Sequence, residues 1–148
     1  MMHEIQFHVT GCPVAQPRVK ARRMGNRAGV YTPSTANAWK AAIAGACKPH
    51  HGLRLTQPLR VSLWFTFPRP KGHYGSGKNA SRLKDNAPHW KAGKPDCDNL
   101  EKAVFDTLTD VQLWADDGQV VDVHTSKVYG DLPGVEVTIN EAHEFSLA

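Results

Sequence analysis

Leu59-Arg60-Val61-Ser62-Leu63-Trp64-Phe65-Thr66-Phe67 sets Leu59, Val61, Leu63, Phe65 and Phe67 on one side and Arg60, Ser62 and Thr66 on the other. A period of two with β-branched and aromatic residues is the signature of a half-buried strand, and Pro68 and Pro70 close it. Upstream, Ile5, Phe7 and Val9 alternate in the same way within His3–Thr10, ended by Gly11 and Pro13. Residues 14–33 have no apolar period and read as a loop. Ser34 can cap a helix running to about Cys47, with Trp39, Ala42, Ile43 and Ala46 on its buried stripe. Downstream, residues 68–95 run without a period and are rich in Lys, Gly, Asn and Pro; a loop of that length is functional or disordered. A second helix is predicted over Asn99–Leu108, with Leu100, Val104 and Leu108 on one face. Strands follow over Gln119–Tyr129, with Val121 and Val123 on one face, and over Gly134–Ile139. The order β-α-β-loop-α-β-β predicts an α+β fold: a single small domain over 1–148, with two main helices packed on a mixed sheet.

At 148 residues the chain can bury a core without disulfides or a structural metal. No apolar run approaches the roughly 18 residues of a membrane span, and the N-terminus lacks a signal-type apolar region. We therefore expect a cytoplasmic protein with no membrane partner. Cys12, Cys47 and Cys97 are odd in number, contain no CxxC pair and do not reach zinc-finger spacing with the histidines. Cys97, between two aspartates, reads as a small buried apolar residue pointing away from them.

Charge is divided sharply along the chain. Residues 1–95 carry a net charge of +14, and residues 96–148 carry −10. A basic half attracts polyanions, whereas an acidic half repels them unless it holds a metal.

The acidic excess gathers around Lys94-Pro95-Asp96-Cys97-Asp98-Asn99-Leu100-Glu101-Lys102 and Trp114-Ala115-Asp116-Asp117. Oxygen-rich clusters suit a hard divalent cation rather than zinc. If the chain is extended at Asp96 and Asp98, both side chains project from one side. Helical phase then sets Lys102 about 40° from Asp98 and Asp106 about 40° further. A turn after the helix could return Asp116 or Asp117 to its N-terminal end. Bland readings stand beside these: Asp98-x-x-Glu101 as a capping box, Lys102 and Asp106 as a surface pair, Asp116-Asp117-Gly118 as an acidic turn. An EF-hand is excluded, because Leu100 and Glu101 occupy loop positions that require Asp/Asn and Gly.

At these residues the sequence resembles the RusA family of Holliday-junction resolvases. The resemblance rests on Pro95-Asp96-Cys97-Asp98-Asn99-Leu100-Glu101-Lys102-Ala103-Val104-Phe105-Asp106-Thr107-Leu108, then Asp116-Asp117-Gly118-Gln119. It extends weakly to Gly11, Pro13, Arg18, Tyr31, Trp39-Lys40, Lys127 and Gly134-Val135. It implies a homodimeric, Mg²⁺-dependent endonuclease (Mn²⁺ substituting) that nicks two strands of a four-way junction symmetrically. By position, it implies Asp96, Asp98 and Asp117 as metal ligands and catalytic carboxylates, with Asp116 the second member of its pair and Lys102 as catalytic lysine. The sequence departs from the pattern at Cys97, where Ile or Leu is usual, and in the long 68–95 segment.

The basic half supplies phosphate contacts: Arg18, Lys20, Arg22, Arg23, Arg27, Arg69, Lys71, Lys78, Arg82, Lys84, Lys91 and Lys94. Lys127 joins them through the resemblance. Such contacts position a protein on DNA and carry no sequence information. Tyr74 and Trp90 among those lysines suit stacking on unpaired bases at a branch point, or equally anchoring of the loop. The leading expectation is branched DNA in the form of a four-way junction. The rivals are forks or other branched DNA, and a DNA-binding module without catalysis.

Overall fold

The structure, a computed structural model, describes residues 2–31 and 33–144. Six strands and two helices follow in the order β1 (Ile5–Thr10), β2 (Lys20–Met24), β3 (Arg27–Tyr31), α1 (Asn37–Ala46), β4 (Leu59–Phe67), α2 (Cys97–Asp110), β5 (Val120–Tyr129) and β6 (Gly134–Glu141). This is the predicted α+β architecture, with one added feature. Residues 14–33 are not a simple loop, because β2 and β3 form a two-stranded antiparallel hairpin. Its two-residue turn, Gly25-Asn26, places Gly25 at φ +64, a conformation glycine adopts readily. β2 is basic on both sides and β3 is exposed with Arg27 its one charged residue, so no apolar alternation betrays them.

The main sheet has the order β1-β6-β4-β5. β4 runs antiparallel to β6 and parallel to β5, which makes the sheet mixed. The alternation of β4 is realised residue by residue: Leu59, Val61, Leu63, Phe65 and Phe67 are buried, and Arg60 and Trp64 are exposed. Ile5, Phe7 and Val9 align with Ile139, Val137 and Val135 to extend the same face. Both helices pack there. α1 contributes buried Trp39 and Ile43. α2 contributes Leu100, Ala103, Val104 and Leu108, all without exposure.

Helix boundaries differ from expectation at their caps. α1 begins at Asn37 after Ala36, and Ser34 does not cap it through its side chain. α2 is longer than predicted by two residues at each end. Val121 and Val123 share a face of β5, an edge strand, and remain 63% and 40% exposed. Among the described residues no helix is long and apolar enough to cross a membrane.

Segment 68–95 is ordered by short 3₁₀ turns at Lys71–His73 and Gly77–Asn79 and by isolated bridges. Arg69 donates to the Pro88 carbonyl at 2.7 Å and lies 5.6 Å over the Tyr129 ring. Lys91 lies 5.1 Å over Phe67 and 5.3 Å over Tyr129. These cation–π contacts tie the loop to the sheet end, so Arg69 and Lys91 are engaged in holding it.

Candidate active site

Asp96 is the N-cap of α2, with extended backbone (φ −74, ψ 151), and Asp98 stands in the first helical turn. The pair therefore straddles a helix start rather than lying on an extended segment. A carboxylate in a first turn is stabilised by the helix dipole. Among the described residues neither carboxylate makes a hydrogen bond or ion pair, and Asp96 does not cap through its side chain. The alternative reading of Asp98 and Glu101 as a capping box does not hold, since the N-cap is Asp96 and no side chain caps the helix. Glu101 instead accepts a hydrogen bond from the Thr125 hydroxyl at 2.6 Å, which clamps α2 to β5. Cys97 is half-buried rather than fully buried.

Asp98, Lys102 and Asp106 follow one another at i, i+4 spacing along α2, so the predicted stripe exists. Lys102 Nζ is 3.6 Å from Asp106 Oδ1, with 61% of the lysine side chain exposed. Such a pair is weak, and the ammonium is free to leave it for a better anion.

A hollow of about 540 Å³ opens beside the helix start, lined by Ala15, Arg18, Lys94, Pro95, Asp96 and Asn99. The Gln16 amide donates to the Asn99 carbonyl at 3.0 Å, which brings the segment after β1 against α2. Two cations thus border one free carboxylate, a combination suited to holding a phosphate next to a metal-binding oxygen. Ala15 carries no signal in the sequence, whereas Asn99 stands within the motif directly after Asp98.

The Asp116-Asp117 pair stands elsewhere. Asp116 Oδ2 accepts from the Gly118 amide at 3.1 Å, and Gln119 Oε1 accepts from the Asp116 amide at 2.8 Å. Gln119 Nε2 then donates to the carbonyls of Leu55 and Gln57. This capped turn leads into Val120, the start of β5, whereas Lys127 near the other end of β5 contacts Pro95. Lys127 lies seven strand steps beyond Val120, about 23 Å. The turn therefore does not return Asp116 or Asp117 to Asp96 and Asp98. Consistent with this, among the described residues no three of His, Cys, Asp and Glu lie together in a metal-holding group. Asp117 itself is exposed.

Of the predicted phosphate contacts, Arg18, Lys20, Arg22, Arg23 and Arg27 are exposed on or beside the hairpin, and Lys71 and Lys94 are exposed on the long segment. Arg22 stacks 5.2 Å over Tyr31. Lys127 is different: its ammonium donates to the carbonyls of Gly93 and Pro95 at 2.6 and 2.9 Å. Trp90 is 57% exposed and pairs with Trp64 on the outer face of the sheet, ring centroids 6.2 Å apart. Tyr74 is half-buried and its backbone bridges Leu83.

Comparison with known proteins adds what geometry alone does not carry. The family model described as Endodeoxyribonuclease RusA matches residues 10–140. The chain is 33% identical over 141 residues to the Bacillus subtilis (strain 168) protein named "Uncharacterized protein YqaN", covering 93% of this chain and 96% of that one. It is 25% identical over 143 residues to a Lactococcus phage r1t protein named crossover junction endodeoxyribonuclease rusA, covering 95% and 99% respectively. A shorter match, 49% identical over 47 residues, joins it to the Escherichia coli (strain K12) RusA, covering 31% of this chain and 39% of that one. With an acidic helix start, a lysine one turn on and a family match across nearly its whole length, the chain belongs to the RusA endodeoxyribonuclease family.

Proposed function

We propose that this protein is a Mg²⁺-dependent, structure-selective endodeoxyribonuclease that resolves four-way DNA junctions by paired symmetric nicks as a homodimer. The observation that carries the reading is the pair of free, exposed carboxylates, Asp96 and Asp98, at the start of α2 beside Arg18 and Lys94. The named activity of the Lactococcus phage relative, a crossover junction endodeoxyribonuclease, supports the choice of substrate.

The donor set fits the cation. Asp96 and Asp98 offer oxygen ligands only, and Mg²⁺ is commonly held by one or two carboxylates with its remaining positions taken by water and phosphate. When bound, it supplies a water of lowered pKa and charge stabilisation at the phosphorus; Mn²⁺, which favours the same ligands, would substitute. Arg18 and Lys94 bind the phosphate and orient the scissile bond. Lys102, one turn along α2, leaves its weak pair with Asp106 to place positive charge where negative charge develops. Asp117 is too far along β5 to join Asp96 and Asp98 of its own chain. As a further ligand it would come from a second copy, an arrangement that a two-fold dimer can supply twice. Asp116 already accepts from Gly118 and shapes the turn that presents its neighbour.

The test is a Mg²⁺ cleavage assay on a synthetic four-way junction, a fork and linear duplex. We expect symmetric nicks on the junction. Preferential cutting of the fork would keep the site and replace the substrate. Mixing Asp96→Asn with Asp117→Asn subunits checks the shared site, because mixed dimers regain one complete centre and nick one strand. No recovery in the mixture would place Asp117 outside it.

A further inference from the structure

Segment 92–95 carries the last residues before Asp96, yet the chain around it is tethered by an unusual route. Upstream, the backbone is stitched to β5 in ladder fashion: the Tyr129 amide donates to the His89 carbonyl and the Lys91 amide to the Lys127 carbonyl, both at 3.0 Å. The ladder stops at Lys91. Among the described residues, no backbone hydrogen bond joins residues 92–95 to any partner. The Lys127 side chain takes over there, donating to Gly93 O at 2.6 Å and to Pro95 O at 2.9 Å.

We propose that Lys127 is a positioning residue for the candidate nuclease site, holding the 93–95 turn so that Asp96 is presented at the helix start. The inference rests on the nuclease reading for its catalytic consequence. The Pro95 carbonyl lies in the same rigid peptide plane as the Asp96 amide, so pinning that oxygen fixes how the chain enters α2. Gly93 has φ +117, which side-chain-bearing residues rarely adopt, so the turn has this course only with glycine there. An ammonium has three N–H donors, and two are committed to carbonyls within the chain. That distinguishes Lys127 from exposed Arg22 and Arg27 of the hairpin, which among the described residues donate to no carbonyl and suit phosphate. Its pairing also explains why a lysine is tolerated on the helix-facing side of β5, aligned with Phe65.

The experiment compares wild type with Lys127→Met and Lys127→Arg. Backbone hydrogen–deuterium exchange is read over peptides spanning 92–100, alongside junction binding at several salt concentrations and single-turnover cleavage with saturating protein. In Lys127→Met we expect exchange of the Leu100 amide, which donates to the Asp96 carbonyl at 3.1 Å, to rise about tenfold while sheet peptides are unchanged. Cleavage should slow about tenfold or more, with affinity and its salt slope unaltered. Lys127→Arg, which can donate to both carbonyls, should restore exchange protection and most of the rate. Unchanged exchange in Lys127→Met would overturn the proposal. So would weaker binding with a salt slope lower by about one at an undiminished saturated rate, the mark of a phosphate contact. If wild type cuts no branched DNA, the nuclease reading fails, while the exchange comparison still decides the tether. Should Lys127→Met not fold, Lys127→Gln is measured in the same way and judged by the same outcomes.

Discussion

Asp96→Asn separates a structural aspartate from a catalytic one. The substitution replaces one carboxylate oxygen with an amide at nearly constant size. Asp96 occupies the N-cap of α2 but makes no side-chain capping bond, and it is solvent-exposed. Its contribution to stability is then limited to its charge at a helix N-terminus, about 0.3–1 kcal/mol. For a chain of this size that corresponds to a melting shift of less than about 4 °C. Removing a metal-holding carboxylate should cost several kcal/mol of transition-state stabilisation, and about 4 kcal/mol is a thousandfold in rate. Junction binding should hold or tighten, because a negative charge next to Arg18, Lys94 and the incoming phosphate has gone. The assays are thermal melting by circular dichroism, junction binding without Mg²⁺, and single-turnover cleavage with it. A melting point lowered by more than about 8 °C, with cleavage per folded molecule unchanged, would make Asp96 a helix cap and refute the reasoning.

Lys102→Ala should lose rate much more than junction affinity, and stability should change by less than about 0.5 kcal/mol because its pair with Asp106 is exposed. The opposite split between rate and affinity would reassign it as a phosphate contact. Junction binding should weaken steeply with salt, with a log–log slope beyond about −2, and Arg22→Gln with Arg27→Gln should flatten it by up to about 0.9 per residue. A slope indifferent to both would remove the hairpin from the DNA interface. Burial pushes the Cys47 thiol above its ordinary value of 9.0. Its thiol form is therefore favoured by folding, and that stability is fully present below pH 9 and lost as pH rises above it. Alkaline melts of Cys47→Ala should show a shallower decline than wild type, and a thiol reagent should label exposed Cys12 long before Cys47.

The faces of β4 and α2 were readable without any structure. Period-two burial at Leu59–Phe67 and the Leu100, Val104 and Leu108 stripe depend on residues a few positions apart, whose geometry is set by the local backbone. The acidic helix start and Lys102 were legible for the same reason: a helix keeps i, i+4 neighbours together wherever it packs. The hairpin is not legible in the sequence because β2 is basic on both faces and β3 is short and exposed without an apolar alternation, leaving only the Gly25-Asn26 turn as a sign. Glu101 looked like a capping partner of Asp98 in sequence, yet it bonds Thr125, which lies 24 positions away. Lys127 looked like one more cation for DNA, yet it holds carbonyls more than thirty positions earlier in the chain. The largest difference concerns Asp116 and Asp117. Proximity in sequence suggested they return to Asp96, but β5 pairs in parallel with β4 and starts beside Leu59. That pairing puts the acidic turn at one end of the strand and the Pro95 tether near the other. Residue types and their spacing determined which groups could perform the chemistry. Strand direction and register, which arise from contacts between distant parts of the chain, decided which of them meet.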